Sequence, residues 1–178
     1  MSQNACTPPT PGNYAKTSIE MIDPIVEKPM SASRIHIAQM MHPEHANFFG
    51  NVHGGWIMKL ADEAGALACM RHAQRRVVTV AIDSMVFRNP IKIGDLVLLN
   101  AEVTYTGHTS MEAEVQVQAE NPITGERIYT NTAYLVYVAL DDEGKPTPVP
   151  PIKAETEEEK RKMEIAKERQ TRRLASKK

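Results

Sequence analysis

Asp62 is the residue of this chain least suited to its neighbours. It stands in K-L-A-D-E-A-G, just after the glycine-rich turn G-N-V-H-G-G at 50–55. From there Ile57, Leu60, Ala61, Ala64 and Ala68 recur at the i, i+3, i+4, i+7 spacing of a buried helical stripe. At 100° per residue, Asp62 falls on a second apolar flank with Met58, Gly65 and Cys69, whereas Lys59 and Glu63 take the side where solvated charges belong. A carboxylate among small apolar groups is costly to bury, so Asp62 is a candidate acid or base; the competing reading is a charge at the rim of a helix face.

The helix start supplies the complementary chemistry. A first turn presents unpaired N–H groups and the positive end of the dipole, a site for an anion or an oxyanion. Gly54 and Gly55 let backbone come close to a ligand there. A start near Gly55 puts Asp62 roughly 10 Å along the axis. That is far for it to serve Asn51 of the same chain, and a two-fold related copy would bring the two together.

Other reactive side chains carry less. Cys6 and Cys69 fall in a tail and in mid-helix, which argues against a structural disulfide and fits a reducing compartment. Cys69 lacks a helix-start position or a placed base and reads as core. His36, His42, His45 and His53 precede the helix without a paired cysteine or an acid at a zinc interval, so no metal is expected.

The elements that position these residues follow from periodicity. Arg34 to Met41 alternates as a first strand before the helix; Val77 to Phe87 and Leu96 to Tyr105 read as two more. Met111 to Glu120 puts Met111, Ala113, Val115, Val117 and Ala119 on one face and Glu112, Glu114, Gln116, Gln118 and Glu120 on the other, as a strand wet on one side. Ile128 to Leu140 is the last strand. One long helix among five strands predicts an α+β domain, a single antiparallel sheet curved around a central helix.

The 178 residues with a net charge of −1 describe an ordinary globular protein, with no basic footprint for nucleic acid, no membrane span and no signal core, placing it in the cytoplasm. Residues 1–33 read as a flexible proline-containing arm, 34–140 as the domain, and 141–178 as a Pro-rich linker followed by a charged, helix-prone tail. From Lys153 on, ten Lys or Arg face six Glu, against eleven and sixteen before it. The tail is either a solvated face or a basic surface for an anionic ligand.

With G-N-V-H-G-G, K-L-A-D-E-A-G, R-H and D-S-M-V-F-R-N-P-I-K-I-G-D, residues 34–140 resemble the hotdog-fold acyl-CoA thioesterases of the cytosolic (brain-type) acyl-CoA hydrolase family. The resemblance implies hydrolysis of acyl-CoA to fatty acid and CoA, with no cofactor beyond the CoA of the substrate. It also implies a homodimer, or double hotdog, commonly assembled as a trimer of dimers. Asp62 would be general base or nucleophile, with Asn51 of the partner subunit holding water or the carbonyl. His53, Gly54 and Gly55 would position the oxyanion or substrate, and Arg88, Thr109 and Ser110 would contact CoA. A non-catalytic acyl-CoA-binding protein is the alternative, and a hotdog hydratase lacks its usual Asp/His or His/Glu pairing here.

Overall fold

The computed structural model describes residues 26–175. In chain order it contains β1 (Lys28–Pro29), a 3₁₀ turn (Met30–Ser33), β2 (Ile35–Met40), a second 3₁₀ turn (Pro43–His45) and α1 (Gly54–Ala73). There follow β3 (Arg76–Met85), β4 (Leu96–Thr106), β5 (Ser110–Glu120), β6 (Arg127–Leu140), β7 (Ile152–Lys153) and α2 (Glu157–Ala175). Five strands form one antiparallel sheet in the order β2-β4-β5-β6-β3. The strand that leaves α1 therefore lies at the far edge of the sheet.

The sheet curls around α1. Val97, Leu99, Ala101 and Val103 of β4, Met111 through Val117 of β5, and Ala133, Leu135, Tyr137 and Ala139 of β6 turn alternate side chains inward onto Ile57, Leu60, Ala61, Ala64 and Ala68. Register slips in β3, between Thr79 and Ala81 and between Ile82 and Ser84, and in β4 between Val103 and Tyr105, add the local bend that a flat sheet lacks. At the far end of α1, Gln74 adopts the left-handed conformation (φ 52°) that closes a helix. Lys28 Nζ reaches the carbonyl of the buried His72 at 2.8 Å.

Three expectations are revised. The arm expected over residues 1–33 belongs to the fold from Lys28 on: β1 pairs with β7, Met30 is fully buried, and Ser33 Oγ accepts the Val103 N–H. Residues 1–25, Cys6 among them, lie outside the described residues. The stretch expected as a linker, 141–151, folds back on the sheet, with Val149 buried and its N–H donated to His108. The outer face of β5 is not wet, because α2 lies across it and buries Glu112 and Glu114.

Charge complementarity explains that cover. Arg169 and Arg173 hold the fully buried Glu112 carboxylate at 2.6 and 2.9 Å, and Thr104 donates to it as well. Lys162 bridges Glu102 and Glu114 at 2.6 and 3.2 Å, Arg173 also pairs with Asp83, and Arg169 lies 3.7 Å over the Tyr134 ring. The helix begins with a reciprocal cap: Thr156 Oγ1 accepts the Glu159 N–H while Glu159 Oε2 accepts the Thr156 N–H. These basic residues are engaged inside the protein and not presented to an anionic ligand. No helix among the described residues is long and apolar enough to cross a membrane.

Removing one partner of a buried ion pair leaves the other charge exposed to the apolar interior. Arg169→Ala should therefore lower unfolding stability in urea by about 2–3 kcal/mol, short of the ~3–5 kcal/mol of a fully orphaned charge because Arg173 remains. Burial pushes Glu102 up, but hydrogen bonds from Lys162 and Arg34 outweigh it and hold its carboxyl below the ordinary value. A carboxyl lowered on folding stabilises above its unfolded value, and that stability goes as pH falls through the lowered one. Stability should accordingly drop on acidification below the usual carboxylate range, and drop less in Lys162→Met.

Candidate active site

Asp62 sits two turns along α1, about 12 Å from Gly54 at 1.5 Å per residue, and meets two hydroxyls from the sheet. Thr79 Oγ1 donates to Oδ1 at 2.7 Å. Tyr137 OH donates to the Asp62 carbonyl at 2.9 Å and lies 3.2 Å from Oδ1. Thr79 and Tyr137 are directly paired across β3 and β6, so one register position supplies both donors. Oδ2 has no donor among the described residues, leaving it open to take a proton.

This approach depends on Gly65, one turn beyond Asp62. A Cβ there would fall 2.5 Å from the Tyr137 hydroxyl and 3.1 Å from its ring. Burial, and next the neighbouring Asp62 charge, push the Tyr137 hydroxyl well up, so it remains a protonated donor. Cys69, a turn further on, is buried, and burial pushes its thiol far up, as befits a core residue.

The helix start is built differently from the expectation. His53 is the N-cap: its Nδ1 accepts the Gly55 N–H at 2.9 Å, so the Gly55 N–H is already engaged although both residues are exposed. The Gly54 N–H has no acceptor among the described residues, and the Phe87 ring lies where a Cβ on Gly54 would come within 3.4 Å. Of the expected oxyanion group, Gly54 alone keeps a free backbone N–H.

Ahead of the helix, residues 47–51 form a braced turn. Asn47 Oδ1 accepts the N–H groups of Phe49 and Asn51 at 2.8 and 3.2 Å, and Asn47 N–H donates to the Asn51 carbonyl at 2.7 Å. Gly50 closes it with φ +80°, a left-handed conformation natural to glycine. Asn51 makes a backbone bridge to Lys92, and its side chain has no hydrogen bond among the described residues. The Asn47 amide is thus fixed through its oxygen with Nδ2 left to donate.

The remaining candidates scatter. Arg88 is exposed beyond β3, its N–H donated to Thr130. Thr109 lies in the turn before β5 and Ser110 begins that strand, paired with Val138. Thr130 and Val138 are eight residues apart on β6, about 26 Å at 3.3 Å per residue, so a single chain does not gather Arg88 with Thr109 and Ser110. The histidines engage singly: His45 Nδ1 accepts the His42 N–H and its ring meets Trp56 edge-on at 4.7 Å, while His36 Nδ1 faces Asn100 Oδ1. Among the described residues no three His, Cys, Asp or Glu form a metal-binding group. Thr79, Tyr137 and Asn47 escaped the sequence reading. The first two need the strand register to be seen, whereas N-F-F-G is a visible turn signal for the third.

Residues 49–126 match the family described as thioesterase superfamily. The chain is 34% identical over 155 residues to the rat (Rattus norvegicus) cytosolic acyl coenzyme A thioester hydrolase, covering 84% of this chain and 41% of that one. It thus spans about two-fifths of that relative's length. An acyl-CoA hydrolase from Staphylococcus aureus, solved in complex with butyryl coenzyme A, coenzyme A and coenzyme A disulfide, superposes with TM-score 0.79 at 37% identity over 85% of this chain and 92% of that one. An apo-hexameric acyl-CoA thioesterase gives 0.81 and 40%, with 85% and 97% covered. The Staphylococcus aureus protein has also been solved with a single Asp, Asn or Thr replaced by Ala; its Asn stands fifteen residues before the Asp and its Thr seventeen after.

Filling the Gly65 position should push Tyr137 off Asp62. Gly65→Ala is expected to cost about 1–3 kcal/mol by overpacking. The same substitution in a Tyr137→Phe background should cost less, since the closest colliding atom is gone; equal costs by denaturant titration would refute the contact.

Proposed function

Since the chain belongs to the thioesterase superfamily and has its hotdog fold, we propose that it hydrolyses acyl-CoA thioesters to a carboxylic acid and free CoA. The observation that carries the reading is the Asp62 carboxylate, its Oδ1 held by Thr79 and Tyr137 and its Oδ2 unengaged. In this chain Asn47, Asp62 and Thr79 keep both spacings of the residues replaced in the Staphylococcus aureus hydrolase. On that ground we assign the amide role to Asn47 in preference to Asn51.

Asp62 Oδ2 takes a proton from water as the water oxygen attacks the thioester carbonyl carbon, and Asn47 Nδ2 holds that water or the carbonyl in line. The charge developing on the carbonyl oxygen is met by the free Gly54 N–H at the positive end of α1. Collapse of the adduct breaks the carbon–sulfur bond, and the proton on Asp62 passes to the departing thiolate. The two hydroxyls on Oδ1 keep the carboxylate oriented between these steps. A direct attack by Oδ2 on the same carbon, with the carbon–sulfur bond breaking and CoA leaving as the thiolate, would give an anhydride that water then opens to the acid and the Asp62 carboxylate.

Asn47 lies ahead of the helix and Asp62 two turns into it, so the site is completed by pairing. β3 is the open edge of the sheet, with Val78, Val80 and Ile82 about half exposed beside Thr79. Unpaired N–H and C=O groups along such an edge, flanked by apolar side chains, favour a second strand. Edge-to-edge pairing of two copies through β3 gives a homodimer with two Asn47/Asp62 sites, and three dimers give the hexamer of the apo relative.

Asp62→Ala and Asn47→Ala should each lower thiol release from acyl-CoA about 10²–10⁴-fold in folded protein, with Asn51→Ala well above Asn47→Ala. Mixing the two inactive variants under subunit exchange should restore part of the activity. Wild-type turnover by Asp62→Ala would sink the mechanism. Val80→Glu should yield smaller species in sedimentation with the activity gone; an active monomer would show that the site needs no partner.

A further inference from the structure

The chain contains three phenylalanines, and two of them, Phe48 and Phe49, stand side by side at the tip of the Asn47 turn. Phe48 is fully exposed and Phe49 is 89% exposed. They are not on a slack loop: Asn47 Oδ1 fixes the Phe49 and Asn51 N–H groups, Gly50 N–H donates to the Asn47 carbonyl, and Ala46 bridges to Val52. A ring of this size buries roughly 150–250 Å² when covered. Two adjacent exposed rings on a braced backbone are the kind of surface that marks an interaction or ligand site.

A second copy of the same chain offers a matching apolar patch. Beside Asp62, α1 exposes Met58 one turn earlier, and the open strand β3 exposes Val80 and Ile82 just past Thr79. If Asn47 of one copy serves Asp62 of the other, the two rings next to Asn47 in sequence travel with it and arrive at this apolar patch. None of these five side chains carries a charge, which suits a hydrocarbon and not the phosphates of CoA.

We propose that Phe48 and Phe49 act in trans as the wall along which the acyl chain lies, so that one subunit sets the preference for long chains and the other cleaves the bond. The proposal rests on the thioesterase reading and on Asn47 reaching the partner's site. It assigns Phe48 and Phe49 a role in specificity and none in the chemical step.

The test compares kcat/KM for acetyl-CoA and palmitoyl-CoA in wild type and in Phe48→Ala/Phe49→Ala, with assembly followed by sedimentation. The palmitoyl-to-acetyl ratio should fall at least about tenfold in the variant, the loss expected when apolar wall area is removed from a chain. Phe48→Leu/Phe49→Leu, which keeps an apolar wall if truncation weakens assembly, should lower the ratio less. Mixing the double alanine variant with Asp62→Ala by subunit exchange should then raise palmitoyl turnover and bring the ratio part of the way back to the wild-type one, because the mixed dimer joins an intact Asp62 to intact rings from the other chain while the remaining double-alanine dimers keep the lowered ratio. An unchanged ratio overturns the proposal, as does a mixture no more active on palmitoyl-CoA than its parts. If wild type releases no thiol from either substrate, the thioesterase reading itself is what has failed.

Discussion

A sheet can wrap this closely around a helix only where the helix presents small side chains, and that constraint governs the whole molecule. Ala61, Ala64, Gly65 and Ala68 leave room for β6 to bring Tyr137 onto α1. Once Tyr137 is there, its cross-strand partner Thr79 is there too, and the two hydroxyls converge on one carboxylate. The packing that buries the core thus also orients Asp62. A side chain on Gly65 would disturb both at once, which ties site geometry to core density.

The same wrapping leaves β3 as an open edge of the single chain's sheet. Because the strand after α1 crosses to the far edge, β3 ends the sheet with half-exposed valines and an isoleucine beside Thr79, one of the two strand residues that bind Asp62. A closed barrel or a buried edge would have removed this liability. In the proposed dimer the open edge brings a second copy to the site, and the braced Asn47 turn is what that copy would contribute.

The outer face shows how far sequence reading reaches. The alternation of residues 111–120 fixes which side chains face inward, and all of Met111, Ala113, Val115 and Val117 are buried as that alternation requires. It says nothing about what covers the other side. Lys162, Arg169 and Arg173 and the acids Glu102, Glu112 and Glu114 are each visible in the chain, but their pairing depends on a helix folding back across more than forty residues. Local charge patterns carry no such distance information. The T-E-E-E cap that starts α2 was legible in principle, since its spacing alone identifies a helix start.

At the site, Asp62 was legible because a carboxylate on a small apolar flank conflicts with its surroundings. Its two hydroxyl partners were not, because they come from strands 17 and 75 residues downstream in the chain. His53 and Gly55 drew attention by type, and the structure uses them to cap the helix. The most direct measurement is a structure of the assembled protein with an unhydrolysed acyl-CoA analogue bound. The expected result is a thioester-position carbon between Asp62 of one subunit and Asn47 of its neighbour, with a water within hydrogen-bond reach of both, about 2.6–3.2 Å. Asp62 and Asn47 opening onto separate cavities, or meeting within one chain, would contradict it.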